Sequence, residues 1–498
     1  MNCSGTGRQI AKRTSAAGTA QRMVTRSLAL AIRIGRCIVP RSLRPRLAWI
    51  IHTVERLTVP SMQTIFIERP VSLASISPLA AAETFTGPPL LVNNALAWGG
   101  VERQIVYTLL GLGKRLQRAP GLLCLRLGTE PSYDFYKSAL VSYKGLVRNV
   151  IDVDAAQAQL AAELTPQQQD QIEGCIGWLP KDVHGEIIRF LADILRLKPA
   201  VVHAWQDSIS ITAGYAAKIA GVPRVIVAGR NVAPIHFSYH REHMRLAYTD
   251  LAGCDHVVLL NNSAAGARSY AKWLGVPKSR FLILRNGIDV NEIARPAAAA
   301  TAELRGKLGI PPEAPIVGSI FRFYSEKRPL LWVEVAREIA RHRSDVHFVV
   351  FGTGPLVEQC RRRAHRFGFA NRLHFPGTIA NSALGMSLFD VFVLTSQFEG
   401  TPNVVLEASL LGIPVIAADS GGTAETIEPD VSGFVVGSDQ PAEFARHALR
   451  ALTDKSFRHR VAEKAPAFIL ERFGLDRMIE ETSQLYEGET APSSRGAR

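Results

Sequence analysis

The strongest constraint on the fold is an alternation of short apolar runs with longer stretches of helical period, which the chain repeats twice. In the first series PPLLVNNAL (88–96), GLLCLRLG (121–128), PAVVHAWQ (199–206), RVIVAGR (224–230), CDHVVLLNN (254–262) and SRFLILRNGID (279–289) read as strands. Segments such as GGVERQIVYTLLGLGKRL (99–116) and ISITAGYAAKIAG (209–221) read as helices between them. The second series runs through APIVGSIFR (314–322), VHFVVFGTG (346–354), LHFPG (373–377), VFVLTS (391–396) and PVIAAD (414–419), with helices at 328–342 and 355–368. It closes with helix 442–454 and a last helix near 457–488. Strands that are apolar on both faces belong to parallel sheets covered by helices on both sides. A Pro/Ala-rich run at 295–303, followed by Pro311, Pro312 and Pro315, reads as an interdomain hinge. The expectation is an α/β chain of two doubly wound, Rossmann-like domains facing across a cleft. Ligands of such sheets sit beyond the carboxyl ends of the strands, so the cleft is the default site.

Length agrees, since 498 residues exceed what one hydrophobic core holds. No stretch reaches the ~18 uncharged apolar residues of a spanning helix. The segment 27–54 comes nearest and is broken by Arg33, Arg36, Arg41, Arg44 and Arg46. Six cysteines without a CxxC pair read as free thiols in a reducing compartment, not as a disulfide framework or zinc site. The net charge of +14 is concentrated at the start: residues 1–60 hold eleven Lys or Arg against one acid, Glu55. The remaining chain is not notably basic, and no nucleic-acid partner is expected. The basic stretch suits a transit peptide, an arm drawn to anionic lipid at ~1 kcal/mol per cation, or a poorly ordered extension. The reading adopted is a poorly ordered or membrane-grazing arm.

Chemistry concentrates in FEGTPNVVLEASLLGIPVIAADSGG (398–422), where Glu399 and Glu407 stand in a segment otherwise almost free of charge. Thr401 reads as a helix cap, Pro402 as the first helical residue, and Gly412 with Pro414 as the stop, giving a helix at about 402–411. Its start lies at the ligand edge, where the amides of Asn403, Val404 and Val405 suit an anion such as phosphate. Glu407 falls among apolar neighbours, and a carboxylate there needs donors. Vicinal hydroxyls of a ribose or hexose are suitable; the plainer alternative pairs Glu407 with a nearby arginine and leaves Glu399 solvated. In GSIFRFYSEKRP (318–329), Arg322 ends a strand and Lys327 follows five residues later. Fixed cations there suit charge developing on a departing diphosphate, Arg through a forked pair of bonds and Lys as a point charge. Gly352 and Gly354 form a strand-to-helix turn that permits close backbone approach. Gly99 and Gly100 open the helix after the first strand, and His203, Asp207, Arg230 and Asn231 stand near strand ends. No acidic pair follows a strand where a metal–diphosphate site needs one; DVDA (152–155) lies in a helix-rich stretch.

The Glu399/Glu407 spacing resembles the E-x7-E motif of retaining glycosyltransferases of family 4, the glycosyl transferases group 1, which have the GT-B fold. The resemblance runs over about 88–475 and is most specific in 318–328 and 392–433. The basic extension over 1–86 lies outside it; the resemblance implies an acceptor-side domain over 87–290 and a nucleotide-sugar-binding domain over 291–460. A C-terminal helix over 461–498 would pack back toward the first domain and end in a disordered tail. By this likeness Glu407 holds the ribose hydroxyls and Glu399 the hydroxyls of the donor sugar. Thr401, Pro402, Asn403 and Val404 touch sugar and diphosphate, as do Arg322 and Lys327 in place of a metal. Gly352 and Gly354 approach the nucleotide, Gly99 and Gly100 the diphosphate and acceptor, and His203 the donor sugar. The implied activity is transfer of a sugar from a nucleotide-sugar, a substrate and not a cofactor, to a glycan or lipid-linked acceptor in cell-surface polysaccharide or lipopolysaccharide synthesis. The implied setting is the cytoplasm, with the arm offering a peripheral hold on the anionic inner face of the membrane. A catalytically silent nucleotide-sugar-binding subunit is the alternative. A Rossmann dehydrogenase is disfavoured because AWGGVE after the first strand is not GxGxxG. The stretch 129–198 is long for the family and carries no readable motif.

Overall fold

Each series of apolar runs becomes one parallel sheet in the computed structural model, which describes residues 71–488. The first sheet contains β1 (Leu90–Asn93), β2 (Gly121–Cys124), β3 (Val147–Asn149), β4 (Val201–Trp205), β5 (Arg224–Gly229), β6 (Val257–Asn261) and β7 (Phe281–Ile283) in the order β3-β2-β1-β4-β5-β6-β7. The second contains β8 (Ile316–Ile320), β9 (His347–Phe351), β10 (Leu373–Gly377), β11 (Val391–Leu394), β12 (Val415–Ala418) and β13 (Gly433–Val436) in the order β10-β9-β8-β11-β12-β13. All pairings are parallel, as in Leu91↔His203 and Phe392↔Gly318. Every residue of β1, β4, β8, β11 and β12 is buried, which is why these strands read as unbroken apolar runs.

The first domain carries α1 (Gly100–Arg115), α2 (Val153–Glu163), α3 (Pro166–Ile176), α4 (Lys181–Leu197), α5 (Asp207–Ala220), α6 (His243–Ala252) and α7 (Ala264–Leu274). The second carries α8 (Ala298–Lys307), α9 (Pro329–His342), α10 (Val357–Arg366), α11 (Ser382–Met386), α12 (Asn403–Leu410) and α13 (Pro441–Thr453), followed by α14 (Lys455–Phe473) and α15 (Leu475–Glu487). Among the described residues no helix is long and apolar enough to cross a membrane. In both sheets the strand order reverses beside the first strand, at β1/β4 and at β8/β11. Loops leaving the two strands at such a point diverge and open a crevice. The segments ending at Gly99 and Gln206, and those carrying Lys327 and Glu399, leave the sheets at these points.

Several expectations need correction. The extension expected through residue 86 ends earlier, because Leu73, Ile76 and Phe85 are buried in the first domain's core. Leu79 and Ala80 amides there donate to Ile219 O and Ala220 O at 3.0 and 3.1 Å. The rest of the basic arm, 1–70, and the tail at 489–498 lie outside the described residues. The Ala-rich run expected as an open hinge is in large part helix α8, as alanine's helix propensity favours. The crossing lies earlier, at Asn286–Gly287, where Gln104 of α1 clamps the Gly287 peptide. The Gly287 amide donates to Gln104 Oε1 at 2.8 Å and Gln104 Nε2 donates to Gly287 O at 2.7 Å. The motif-free stretch 129–198 supplies edge strand β3, pinned by a fork from Arg148 to the buried Asp193 at 2.6 and 3.0 Å. It is also bound to the loop after β1, since Leu96 donates to Tyr133 O at 2.9 Å and Tyr136 to Leu96 O at 3.0 Å. The single helix expected near 457–488 divides at Gly474: α14 packs on α12, and α15 returns to α1. The crossing is held by bonds from Ile288 to Phe473 O at 2.8 Å and from Leu475 to Ile288 O at 3.1 Å.

Candidate active site

The floor of the site is the start of α12. The amides of Asn403 and Val404 have no partner within the helix, but that of Val405, expected to be open to an anion as well, donates to Pro402 O at 3.0 Å. Pro402, extended at φ −73° and ψ 103°, is the N-cap and not the first helical residue. Thr401 does not cap the helix as expected; its hydroxyl donates to Asn262 O of the first domain at 2.6 Å. Asn403 faces the glycine turn across the cleft, its amide donating to Gly100 O at 3.3 Å. A Cβ on Gly100 would lie 2.8 Å from that side-chain nitrogen. Asn286 of the crossing segment donates to Asn403 Oδ1 at 2.7 Å and to Thr401 O at 3.2 Å. The structure therefore brings Gly100, Thr401 and Asn403 together.

Glu399 is buried, and Lys327 Nζ lies 2.5 Å from its Oε1. The solvated alternative for Glu399 fails on that contact. Glu407 is 1% exposed and pairs with Arg103 of α1. The plainer alternative for Glu407, an arginine partner, is thus what the structure shows, with the arginine supplied by the other domain. Glu407 Oε2 and Arg103 Nε remain buried with no partner. Burial works against the Arg103 charge, but Glu407 together with Tyr107 and Tyr136 outweighs it and holds the guanidinium protonated.

Arg322 projects from the end of β8 with its guanidinium 5.4 Å from the Tyr324 ring centre. Its charge is felt across the cleft by Glu102 of α1. Burial pushes the Glu102 carboxyl up, while a bond from Gln206 at 2.9 Å and the Arg322 charge oppose that rise. Gly352 and Gly354 have φ of +131° and +151°. Side chains there would strike Phe321 O at 1.9 Å and Phe323 O at 2.7 Å. What these glycines touch is thus the backbone flanking Arg322, and they let it lie close.

His203 is not in the cleft. It is the middle residue of β4 and fully buried, with Nδ1 3.0 Å from the Tyr486 hydroxyl of α15. Burial, reinforced by the Arg230 charge, pushes its pKa down to about 3. Strand alternation turns the ring toward the returning helix. Asp207 is occupied as well, accepting from Tyr239 at 3.1 Å, Tyr248 at 3.0 Å and Tyr270. Arg230 stacks on Trp205 at 4.1 Å and donates to Asn286 Oδ1 at 2.8 Å, while burial pushes its pKa down to about 9.

Sequence reading did not single out Arg103, Asn286 or Glu425. Glu425 spans the domains, accepting from the first amides of α7, Ala264 and Ala265, at 3.0 and 2.8 Å. Arg103 stood within the quoted GGVERQ and Asn286 within RNGID, but nothing local marks their partners. Among the described residues no group of three or more His, Cys, Asp or Glu is placed to hold a metal ion. A cavity of about 620 Å³ lies behind α1 and α15, lined by Tyr107, Lys114, Asp289, Glu292 and Arg477, and holds none of the predicted residues.

Residues 300–468 match the family described as glycosyl transferases group 1. The Vi polysaccharide biosynthesis protein VipC/TviE of Salmonella typhi is 25% identical over 410 residues, covering 78% of this chain and 69% of that protein. A GDP-mannose-dependent alpha-(1-6)-phosphatidylinositol monomannoside mannosyltransferase of Mycobacterium tuberculosis is 32% identical over 188 residues, 36% of this chain and 48% of that protein. The crystal structure of HepE of Anabaena in complex with UDP superposes with a TM-score of 0.64 at 18% identity, covering 80% of this chain and all of HepE. With two reversal-point crevices facing each other, the chain has the GT-B fold, and its second domain carries the segment that matches the glycosyl transferases group 1.

Proposed function

We propose that the chain is a retaining, family-4 glycosyltransferase that moves a sugar from a nucleotide-sugar to a glycan or lipid-linked acceptor during synthesis of a cell-surface polysaccharide. The observation that carries this reading is the Lys327–Glu399 pair, partly buried at the β8/β11 reversal point beside the first turn of α12. A cation, a carboxylate and a helix start converge there, which is what a sugar diphosphate asks for. The relative named for polysaccharide biosynthesis and the UDP-bound HepE support it.

In this reading the diphosphate rests on the α12 amides and is met by Arg322 and Lys327, without a metal. The ribose hydroxyls reach Glu407, and those of the transferred sugar reach Glu399. The bond between anomeric carbon and phosphate oxygen breaks, leaving a nucleoside diphosphate with about one more negative charge, which the fixed cations stabilise. The acceptor hydroxyl enters on the face the phosphate leaves and passes its proton to the departing phosphate oxygen. Gly99 and Gly100 keep that face open. The setting implied is the inner face of the cytoplasmic membrane.

A thermal-shift series with UDP-, GDP- and ADP-sugars, each with a chelator present, tests the reading. Saturable stabilisation by one base class is expected, by roughly 3 kcal/mol at a hundredfold excess over Kd. Absence of any shift across all three classes refutes it.

A further inference from the structure

We propose that Arg103 is a positioning residue for the ribose of the donor, lent by the first domain to Glu407 of the second. The inference rests on the nucleotide-sugar reading above and extends it to a residue outside the matched 300–468 segment.

Arg103 lies in the first turn of α1, three residues beyond Gly100. Its guanidinium pairs with Glu407 Oε1 across the domain boundary. Glu407 is surrounded by Val405, Leu406 and Ala408, all buried. A carboxylate in such surroundings persists as an anion only beside a counter-charge. The ion pair is also incompletely used. Glu407 Oε2 is a buried acceptor without a donor, and Arg103 Nε is a buried donor without an acceptor. One open acceptor and one open donor on the two halves of a single ion pair are complementary to a vicinal diol: one hydroxyl donates to Oε2, and its neighbour accepts from Nε. A lysine would supply the charge, but its donors all sit on one nitrogen and lack the planar fork that reaches Glu407 and a hydroxyl at once. Because donor and acceptor come from different domains, a ribose held this way also ties the domains together.

The test is calorimetric binding of UDP, GDP and ADP, each beside its 2′-deoxy and 3′-deoxy form, to the full chain and to Arg103→Met and Arg103→Lys. Wild type is expected to favour the ribonucleotide of its own base by roughly 10- to 100-fold, the usual effect of leaving a buried partner unmatched. In Arg103→Met that preference falls to within about threefold while diphosphate-dependent binding persists. In Arg103→Lys the donor KM rises and kcat at saturating donor stays within about threefold of wild type. Retention of the wild-type ribose-to-deoxyribose ratio in both variants overturns the inference and leaves the donor reading intact. Failure of wild type to bind any of the three nucleotides overturns both. Should Arg103→Met not fold, the ratio in Arg103→Lys decides alone: a reduced ratio supports the role and an unchanged one refutes it.

Discussion

Replacing Lys327 by methionine separates two jobs that its position allows. Lys327 and Glu399 are 20% and 9% exposed in their side chains and in direct contact. Removing one partner of a buried pair strands the other charge, at a cost of about 3–5 kcal/mol. The residual exposure of Lys327 places the expectation near 3 kcal/mol, or a fall in Tm of roughly 6–12 °C. If Lys327 also stabilises the departing diphosphate, losing it costs turnover separately, about 10²–10³ in kcat, the effect of removing one preorganised donor at a developing charge. The two effects divide when the double variant Lys327→Met with Glu399→Gln is set beside Glu399→Gln alone, since Glu399 is itself placed on the donor sugar. A neutral amide needs no counter-ion, so Tm recovers while kcat stays below that of Glu399→Gln. Melting followed by calorimetry, and kcat measured at saturating donor below the melting onset, read the two independently. Recovery of turnover together with Tm, or a single Lys327→Met variant with wild-type kcat, would refute the catalytic assignment and reduce Lys327 to the counter-ion of Glu399.

Two further perturbations probe the frame around the site. Gln104→Leu leaves both the amide and the carbonyl of Gly287 buried without their side-chain partner; a loss of roughly 2–4 kcal/mol is expected in denaturant melts, and a loss below about 0.5 kcal/mol would show the clamp to be idle. His203 stays neutral in the fold down to about pH 3, against an ordinary value of 6.5. The unfolded chain therefore binds the extra proton first as pH falls. The stability concerned is complete above pH 6.5 and is lost below it, at up to ~1.4 kcal/mol per pH unit. His203→Phe should flatten the decline of Tm between pH 6.5 and 4.5 relative to wild type, and parallel slopes would contradict the burial argument.

The sheets were legible because their strands are apolar on both faces and end in turn residues. Two strands were not. β3 is a half-exposed edge reading Val-Arg-Asn, without an apolar run to announce it. β13 reads Gly-Phe-Val-Val and follows directly on a turn, in which Val431 and Ser432 donate to Glu428 O. The site divides in the same way. Glu399, Lys327 and Asn403 could be found because strand end, loop and helix start are contiguous in sequence. The partners across the cleft could not. Arg103 and Glu407 are 304 positions apart, and His203 and Tyr486 are 283 apart. His203 looked like a ligand-edge residue only while the return of α15 was unknown. Thr401 looked like a cap because Ser and Thr before a helix usually are, and the first domain claimed its hydroxyl instead.

That division bears on how the site is assembled. The segment matching the family contains Lys327, Glu399 and Glu407; Lys327 meets Glu399 within it, while Glu407, Thr401 and Asn403 are completed from outside it. Arg103 meets Glu407, Asn262 takes the Thr401 hydroxyl, Asn286 holds Asn403, and Glu425 reaches back to the start of α7. The second domain alone would present a buried carboxylate without its counter-ion and a helix start without its side-chain bridges. Domain contact and completion of these side-chain pairings are therefore one event in this fold. Under the proposed function, first-domain residues that never touch the transferred sugar would still shape the site that holds the donor.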